Sequence, residues 1–421
     1  MPIEVHTTLH NEETFLIDFT PRTYSEMKWK RGQEPRNRSL RAVARRAHSQ
    51  WHISVSFEGS LHLDGLARAT VGKRREDLED ICLSLDFNRL HLLDDTVTQV
   101  FIRREHDATP PSHQDNTAVA DCCPLPLKRP LRLDSEYTPV VTQLRFCVRE
   151  DPFHVRFPPC CSADGIPTKE LSQISRTCEL SVGVHKAQIK GDNTDALYVY
   201  KEVDRPLYMP RDSRVVDQEL RNLLLFRGRK GIVQIVAAVI SKNPYQTVLD
   251  EAVAGKTTSN DHTVLRGILL EYHPRGTLSD ALQDTSSEIP KPWRKWALQI
   301  ALGLANLHQS AVTHMDLKPS NVVINAEGNA VLIDISGIGG MTREWLAPEM
   351  RDVSDPLSES LEARIKNDIW AFGQMVSVMA ENPCNSEEEK LLLQRVVVGA
   401  TMADPASRSS LDYVISQLGS S

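Results

Sequence analysis

The chain has 421 residues, and at ~150 residues per domain this length holds two domains or three. Apolar residues make up 40% and charged residues 25%, which excludes collagen-like, low-complexity and wholly disordered chains. Lys and Arg number 49 against 56 Asp and Glu, and the resulting −7 is too mild to mark a nucleic-acid or membrane partner. The opening residues carry Glu4, Glu12 and Glu13 where a secretory leader needs basic and then apolar residues.

Taken in order, residues 14–19 read as a strand, and so do residues 51–57, where Ile53, Val55 and Phe57 share one face. Before the second of these, Lys28, Lys30, Arg31, Arg36, Arg38, Arg41, Arg45 and Arg46 form a basic run, expected as a solvated loop followed by a basic helix face and not as a nucleic-acid arm. His48 and His52 stand four apart, but residues 51–57 alternate as a strand, so no metal pair is expected there. Residues 75–93 have helical spacing through Leu78, Ile81, Leu85 and Leu92. Residues 96–102 and 140–148 alternate again, with Leu144, Phe146 and Val148 on one face. Between them, residues 104–137 hold Pro110, Pro111, Pro124, Pro126 and Pro130 among polar residues and read as a long, disordered loop. The eight cysteines include the adjacent pairs Cys122–Cys123 and Cys160–Cys161, which are not zinc spacings. They read as reduced thiols, and the protein is expected to be intracellular, cytoplasmic or nuclear.

Beyond about residue 170, strand-like and helix-like segments alternate. Residues 198–203 read as a strand and residues 214–226 as a helix through Val215, Leu220, Leu223 and Leu224. Residues 232–240 and 265–272 read as buried strands, and residues 293–307 as an amphipathic helix. Residues 231–240 are the longest nearly apolar stretch, about half of the ~20 residues of a membrane span, so no membrane association is expected. Residues 321–324 and 330–333 read as a hairpin around Gly328, and helical patterns follow from Lys366, the last opening on Ser409 with Asp412 three residues on.

The phrase His314-Met315-Asp316-Leu317-Lys318-Pro319-Ser320-Asn321 carries the chemistry. Thirteen residues after Asn321 comes Asp334-Ile335-Ser336-Gly337, and fifteen after Asp334 comes Glu349 of Ala347-Pro348-Glu349. Asp368-Ile369-Trp370-Ala371-Phe372-Gly373 follows. Phosphoryl transfer needs a positioned nucleophile and cations over phosphate oxygens, and these residue types supply both. Asp316 can take a proton from an acceptor hydroxyl, Lys318 is a point charge for the phosphate, and Asn321 and Asp334 offer oxygen ligands suited to Mg²⁺.

Order and spacing resemble the eukaryotic protein kinase superfamily, over roughly 250 of the 421 residues. The resemblance implies an α+β, two-lobed protein kinase-like fold over residues 170–421, with an N-lobe over 170–271 and a C-lobe over 272–421. A smaller β-rich N-terminal domain, residues 1–165, precedes it and falls outside the resemblance. Lys201 resembles the ATP-anchoring lysine and Glu219 its ion-pair partner. Leu270-Glu271-Tyr272-His273 resembles the linker between lobes, whose Glu271 and His273 backbone groups would meet adenine while Leu270 backs the pocket. Val199 and Val323 would sandwich the ring. Thr342 resembles the threonine that contacts the catalytic Asp and Lys, which with Lys318 implies serine/threonine acceptors. Arg408 resembles the arginine that pairs with Glu349.

Three departures stand out. The glycine-rich loop is represented by Gly183 alone, Met315 replaces the arginine that binds a phosphorylated activation loop, and Ser336 replaces a glycine. The expected function is an ATP- and Mg²⁺-dependent protein serine/threonine kinase acting on a protein substrate, with a regulatory partner at the N-terminal domain. The alternative is a pseudokinase used as a nucleotide-binding scaffold. A small-molecule kinase is disfavoured because Ala-Pro-Glu and the Asp368 helix are both present.

Overall fold

The computed structural model describes residues 14–27, 30–105, 123–160, 165–192, 194–248, 263–284, 291–382 and 385–420. Two compact units emerge: Met1–Arg156 with Lys242–His262, and Phe157–Ser241 with Thr263–Ser421.

In the first unit a seven-stranded sheet is built from β1 (Leu16–Phe19), β2 (Ser25–Met27), β3 (Asn37–Arg46), β4 (Ser49–Glu58), β5 (Val97–Arg104), β6 (Cys123–Pro124) and β7 (Leu144–Glu150). Its order is β1-β3-β4-β5-β7-β6, with β2 also on β3. Helix α1 (Val71–Ser84) connects β4 to β5, which run parallel, so this is a right-length β-α-β crossover within an otherwise antiparallel sheet. Leu78, Ile81 and Cys82 of α1 bury against Leu40, Ile53, Val55, Phe57, Val100 and Ile102. The face predicted for Ile53, Val55 and Phe57 is therefore the core face.

Three expectations for this unit are corrected. The basic run is no helix: residues 37–46 are β3, ten residues in register with β4. Ala and Arg favour helix locally, but Leu40, Ala42 and Ala44 repeat with period two, and pairing with a central strand wins. Arg38 is wholly buried, bonded to Tyr137 Oη at 3.0 Å and to Glu34, while Lys28 lies outside the described residues. Helix α1 starts four residues early on the Thr70 cap and ends at Ser84, because Leu85 turns to ψ 140° and Asp86 caps a new 3₁₀ turn. The expected loop is also ordered in its second part. Arg129 Nη2 and the Arg132 N–H bond Asp80 at 2.7 and 2.9 Å, and the Glu136 N–H bonds Asp77 at 3.0 Å. Pro110, Pro111 and Cys122 lie outside the described residues.

In the second unit a six-stranded sheet has the order β8-β12-β13-β11-β10-β9. Its strands are β8 (Thr168–Glu170), β9 (Ile174–Ser181), β10 (Val184–Ile189), β11 (Tyr198–Glu202), β12 (Ile235–Lys242) and β13 (Thr263–Glu271). Helix α2 (Pro210–Leu225) joins β11 to β12. A helical part follows: α3 (Leu278–Gln283), α4 (Trp293–Gln309), the hairpin β14 (Val322–Ile324) and β15 (Ala330–Leu332), α5 (Leu361–Ala380), α6 (Glu387–Ala400) and α7 (Leu411–Gly419). A strand-rich part and a helical part make the two-lobed α+β arrangement. Helix α5 starts at Leu361 on the Ser360 cap, five residues before the predicted Lys366. Helix α7 is capped by Ser410, one residue after the predicted Ser409. No helix among the described residues is long and apolar enough to cross a membrane.

Candidate functional site

Lys201 stands on β11, which lies between β10 and β13 in the sheet, and its side chain reaches two carboxylates. Nζ lies 2.5 Å from Glu219 Oε2 on α2 and 2.7 Å from Asp334 Oδ1 beyond β15. Burial acts to lower the lysine pKa, but Asp334 and Glu219 outweigh it and hold it above the ordinary value. The Lys201 charge holds Asp334 below the usual carboxylate range. Glu219 is wholly buried, its Oε1 has no hydrogen-bond partner among the described residues, and desolvation pushes its pKa up.

Asp316 is fixed from four directions. Oδ1 accepts from the Thr342 N–H at 2.9 Å and from Thr342 Oγ1 at 2.8 Å. Oδ2 accepts from Lys318 Nζ at 2.7 Å and from Asn321 Nδ2 at 3.3 Å. Lys318 Nζ also bonds Thr342 Oγ1 at 2.8 Å, closing a ring of three side chains. Behind the loop, buried Asp368 accepts from the His314 and Met315 N–H groups at 2.8 and 2.9 Å. That fixes the backbone, and Met315 is held at φ 64°, a left-handed value that a side chain tolerates only when its surroundings enforce it. Asp334 is held at φ 58° in the same way.

Asn321 and Asp334 flank the β14–β15 hairpin, and the Ile333 N–H bonds Asn321 O at 3.1 Å. The Asn321 amide nitrogen is spent on Asp316 O at 2.8 Å, which leaves its carbonyl oxygen for another partner. Asp334 uses Oδ1 on Lys201 and keeps Oδ2. An amide oxygen and a carboxylate oxygen are the donors a hard divalent cation takes, so these residues fit Mg²⁺.

The residues expected around the base are less uniform. Leu270 is buried, and Val199 pairs with it across the β11–β13 ladder. The Glu271 N–H is committed to Gln234 O at 3.2 Å, which leaves its carbonyl as the backbone group expected to meet adenine. His273 Nε2 lies 3.2 Å from Glu271 Oε1. Val323 is half-buried on β14 opposite Val331. Gly183 forms the β9–β10 turn at φ +74°. The anticipated Glu349–Arg408 pair is present and bidentate, at 2.5 and 2.7 Å.

Two contacts escaped the sequence reading. Asn222 Nδ2 on α2 donates to Ile335 O at 2.6 Å, and Arg211 Nη2 donates to Ile338 O at 2.6 Å. Asn222 lies three residues after Glu219, on the same helix face, and that spacing was the available signal.

A strand-rich lobe and a helical lobe, with two lysines, three acids and an asparagine brought together by them, define the protein kinase-like class. The chain belongs to the protein kinase family: the model described as "Protein kinase domain" matches residues 184–410, just over half of the chain. The match starts one residue after Gly183. Among curated proteins, the chain is 28% identical over 161 residues to the probable serine/threonine-protein kinase PBL4 of Arabidopsis thaliana, covering 34% of this chain and 37% of that protein. It is 30% identical over 164 residues to mitogen-activated protein kinase kinase kinase 2 of the same plant, covering 35% of this chain and 24% of that protein. It is 29% identical over 146 residues to mouse activin receptor type-1, covering 29% of this chain and 28% of that protein. The chain thus spans 24% to 37% of the length of these relatives.

Proposed function

We propose that this protein transfers the terminal phosphoryl group of ATP to a serine or threonine hydroxyl of a protein substrate. The observation that carries this is the Asp316–Lys318–Thr342 ring, which presents a carboxylate to an acceptor while holding an ammonium beside it. Asp316 orients the incoming hydroxyl and takes its proton. Lys318 offsets the charge that builds on the transferred phosphate. Lys201, itself oriented by Glu219, grips the phosphates nearer the nucleoside. Leu270, Val199 and Val323 supply the apolar walls for the base, with backbone groups at His273 on its polar edge. Mg²⁺, held by Asn321 and Asp334, would supply charge neutralisation at the phosphate oxygens. Thr342 against both Asp316 and Lys318 supports a serine/threonine acceptor. The first unit is read as a regulatory, partner-binding domain, and the protein as intracellular.

The test is phosphoryl transfer from Mg·ATP to a generic basic protein, alongside titration of ATP binding. Asp316→Asn should abolish transfer and leave ATP affinity nearly intact, whereas Asp334→Asn should weaken Mg·ATP binding as well. Nucleotide binding with no transfer by the wild type under varied conditions would favour the scaffold reading, which the short Gly183 turn already motivates.

A further inference from the structure

The family's phosphate loop works by bringing backbone N–H groups close to phosphate, and glycines permit that approach. Here the β9–β10 hairpin closes through Val182 and Gly183, with Ser181 paired to Val184. A two-residue turn has only the Val182 and Gly183 N–H groups to offer a phosphate, so a further donor nearby matters.

Gly183 points to it. A Cβ on Gly183 would stand 2.6 Å from the Cβ of Arg205, so the space left by the missing side chain is filled by that arginine. Arg205 leaves the end of β11 and is clamped by Asp212 in the first turn of α2, with Nε at 2.8 Å from Oδ2 and Nη2 at 2.7 Å from Oδ1. Asp212 is itself fixed by the Met209 N–H at 2.9 Å. Nη1 keeps no hydrogen-bond partner among the described residues. A cavity of about 240 Å³ is lined by Gly183, Lys201, Arg205, Asp316 and Asp334 among others. Its four carboxylates are Glu202, Asp212, Asp316 and Asp334, against the two cations Lys201 and Arg205. Lys201 is already committed to Glu219 and Asp334. A phosphate entering this cavity therefore finds the third N–H of Lys201 and, beside it, the Arg205 guanidinium that Asp212 holds pre-oriented with Nη1 to spare.

We propose that Arg205 binds the terminal phosphate of the nucleotide and does the work that loop glycines do elsewhere in the family. This rests on the nucleotide-binding reading above. Asp212 fixes the plane of the guanidinium, so Nη1 is presented at little further entropic cost. Gly183 is then required for a side chain from another segment, not only for its own backbone.

The experiment is calorimetric titration of the full chain with ATP, ADP and adenosine, each with excess Mg²⁺, and thermal unfolding run in parallel. Arg205→Ala should weaken ATP by about 10- to 100-fold, the scale of one charge-assisted contact. ADP and adenosine should bind as in the wild type. Arg205→Lys, which keeps the charge but loses the Asp212 fork, should fall between. Gly183→Ala should reproduce the ATP-selective loss, and the double variant should be no worse than either single one. An equal loss for all three ligands would reduce Arg205 to a support of the hairpin and overturn the proposal. Unchanged ATP affinity in a folded Arg205→Ala protein would overturn it too. A wild type that binds none of the three ligands would sink the nucleotide reading itself, and this inference with it.

Discussion

The side-chain amide of Asn222 donates to the backbone carbonyl of Ile335 at 2.6 Å, tying the helix that carries Glu219 to the segment that carries Asp334. The same nitrogen lies 3.2 Å from Ser336 O, and both residues are buried. One side chain thus keeps the two acidic partners of Lys201 in register. Asn222→Ala leaves these carbonyls unpaired and should cost about 1–3 kcal/mol in urea unfolding. In an active preparation, phosphoryl transfer should fall by more than ATP affinity does. Equal stability of variant and wild type would show that the tie is replaceable.

Met315 occupies a position where the family's arginine meets a phosphorylated loop. Here it is buried among Leu346, Ala347, Met350 and Trp370, with Met341 and Leu357 against them. The segment after Asp334 is anchored by apolar packing and by the Arg211 and Asn222 bonds to its carbonyls. Met315→Arg should therefore not restore a phosphate switch. It should bury an unpaired guanidinium and cost about 3 kcal/mol or more. Treatment with a phosphatase should leave the transfer rate of the unaltered protein unchanged. A rate that collapses on dephosphorylation, traced to this segment, would reject the apolar anchor.

Of the candidate site, Asp316, Lys318, Asn321 and Asp334 could be picked out together in the sequence because they sit in short segments whose spacing the hairpin β14–β15 fixes. Asp316, Lys318 and Asn321 fall within six residues, so local chain geometry alone brings them together. Arg205 gave no signal, and Asn222 gave only its spacing from Glu219, for the opposite reason: their partners depend on how α2 packs. Strand β3 shows the same limit in the first unit, where its Ala and Arg residues favour a helix and only pairing with β4 decides otherwise. Residues 129–137 looked like loose, proline-marked loop, yet Asp77 and Asp80 of α1 capture their backbone and side chains. No pattern in the loop itself announces those acids.

Gly267 on β13 tests how tightly Lys201 is placed. It faces Glu202 in the β11–β13 ladder, and an added Cβ would fall 2.3 Å from Lys201 O and 2.7 Å from Tyr200 Cε2. The first of these is backbone and cannot swing away. Gly267→Ala should push β11 outward and cost about 1–3 kcal/mol as overpacking. Because Lys201 rides on β11, ATP affinity should drop together with stability. A variant as stable as the wild type, with unaltered ATP binding, would mean that the ladder absorbs a methyl group without moving the lysine.

Arg408 is wholly buried in its side chain and meets Glu349 through a two-bond fork. Burial works to raise the Glu349 pKa, but hydrogen bonding to Arg408 outweighs it and holds the carboxyl below the usual glutamate range. A depressed folded-state pKa means that the unfolded chain takes up the proton first. The pair therefore stabilises the fold above the ordinary glutamate range, and this contribution is lost as pH falls through that range to the folded value. Glu349→Gln should lower stability at pH ~7 and flatten its decline toward pH ~4, because the titrating group is gone. Arg408 would still donate to Met402 O at 3.0 Å and to Lys366 O at 3.1 Å, so the variant should remain folded enough to measure. Urea unfolding at both pH values decides the matter: parallel acid losses in variant and wild type would show that other carboxylates govern the acid limb.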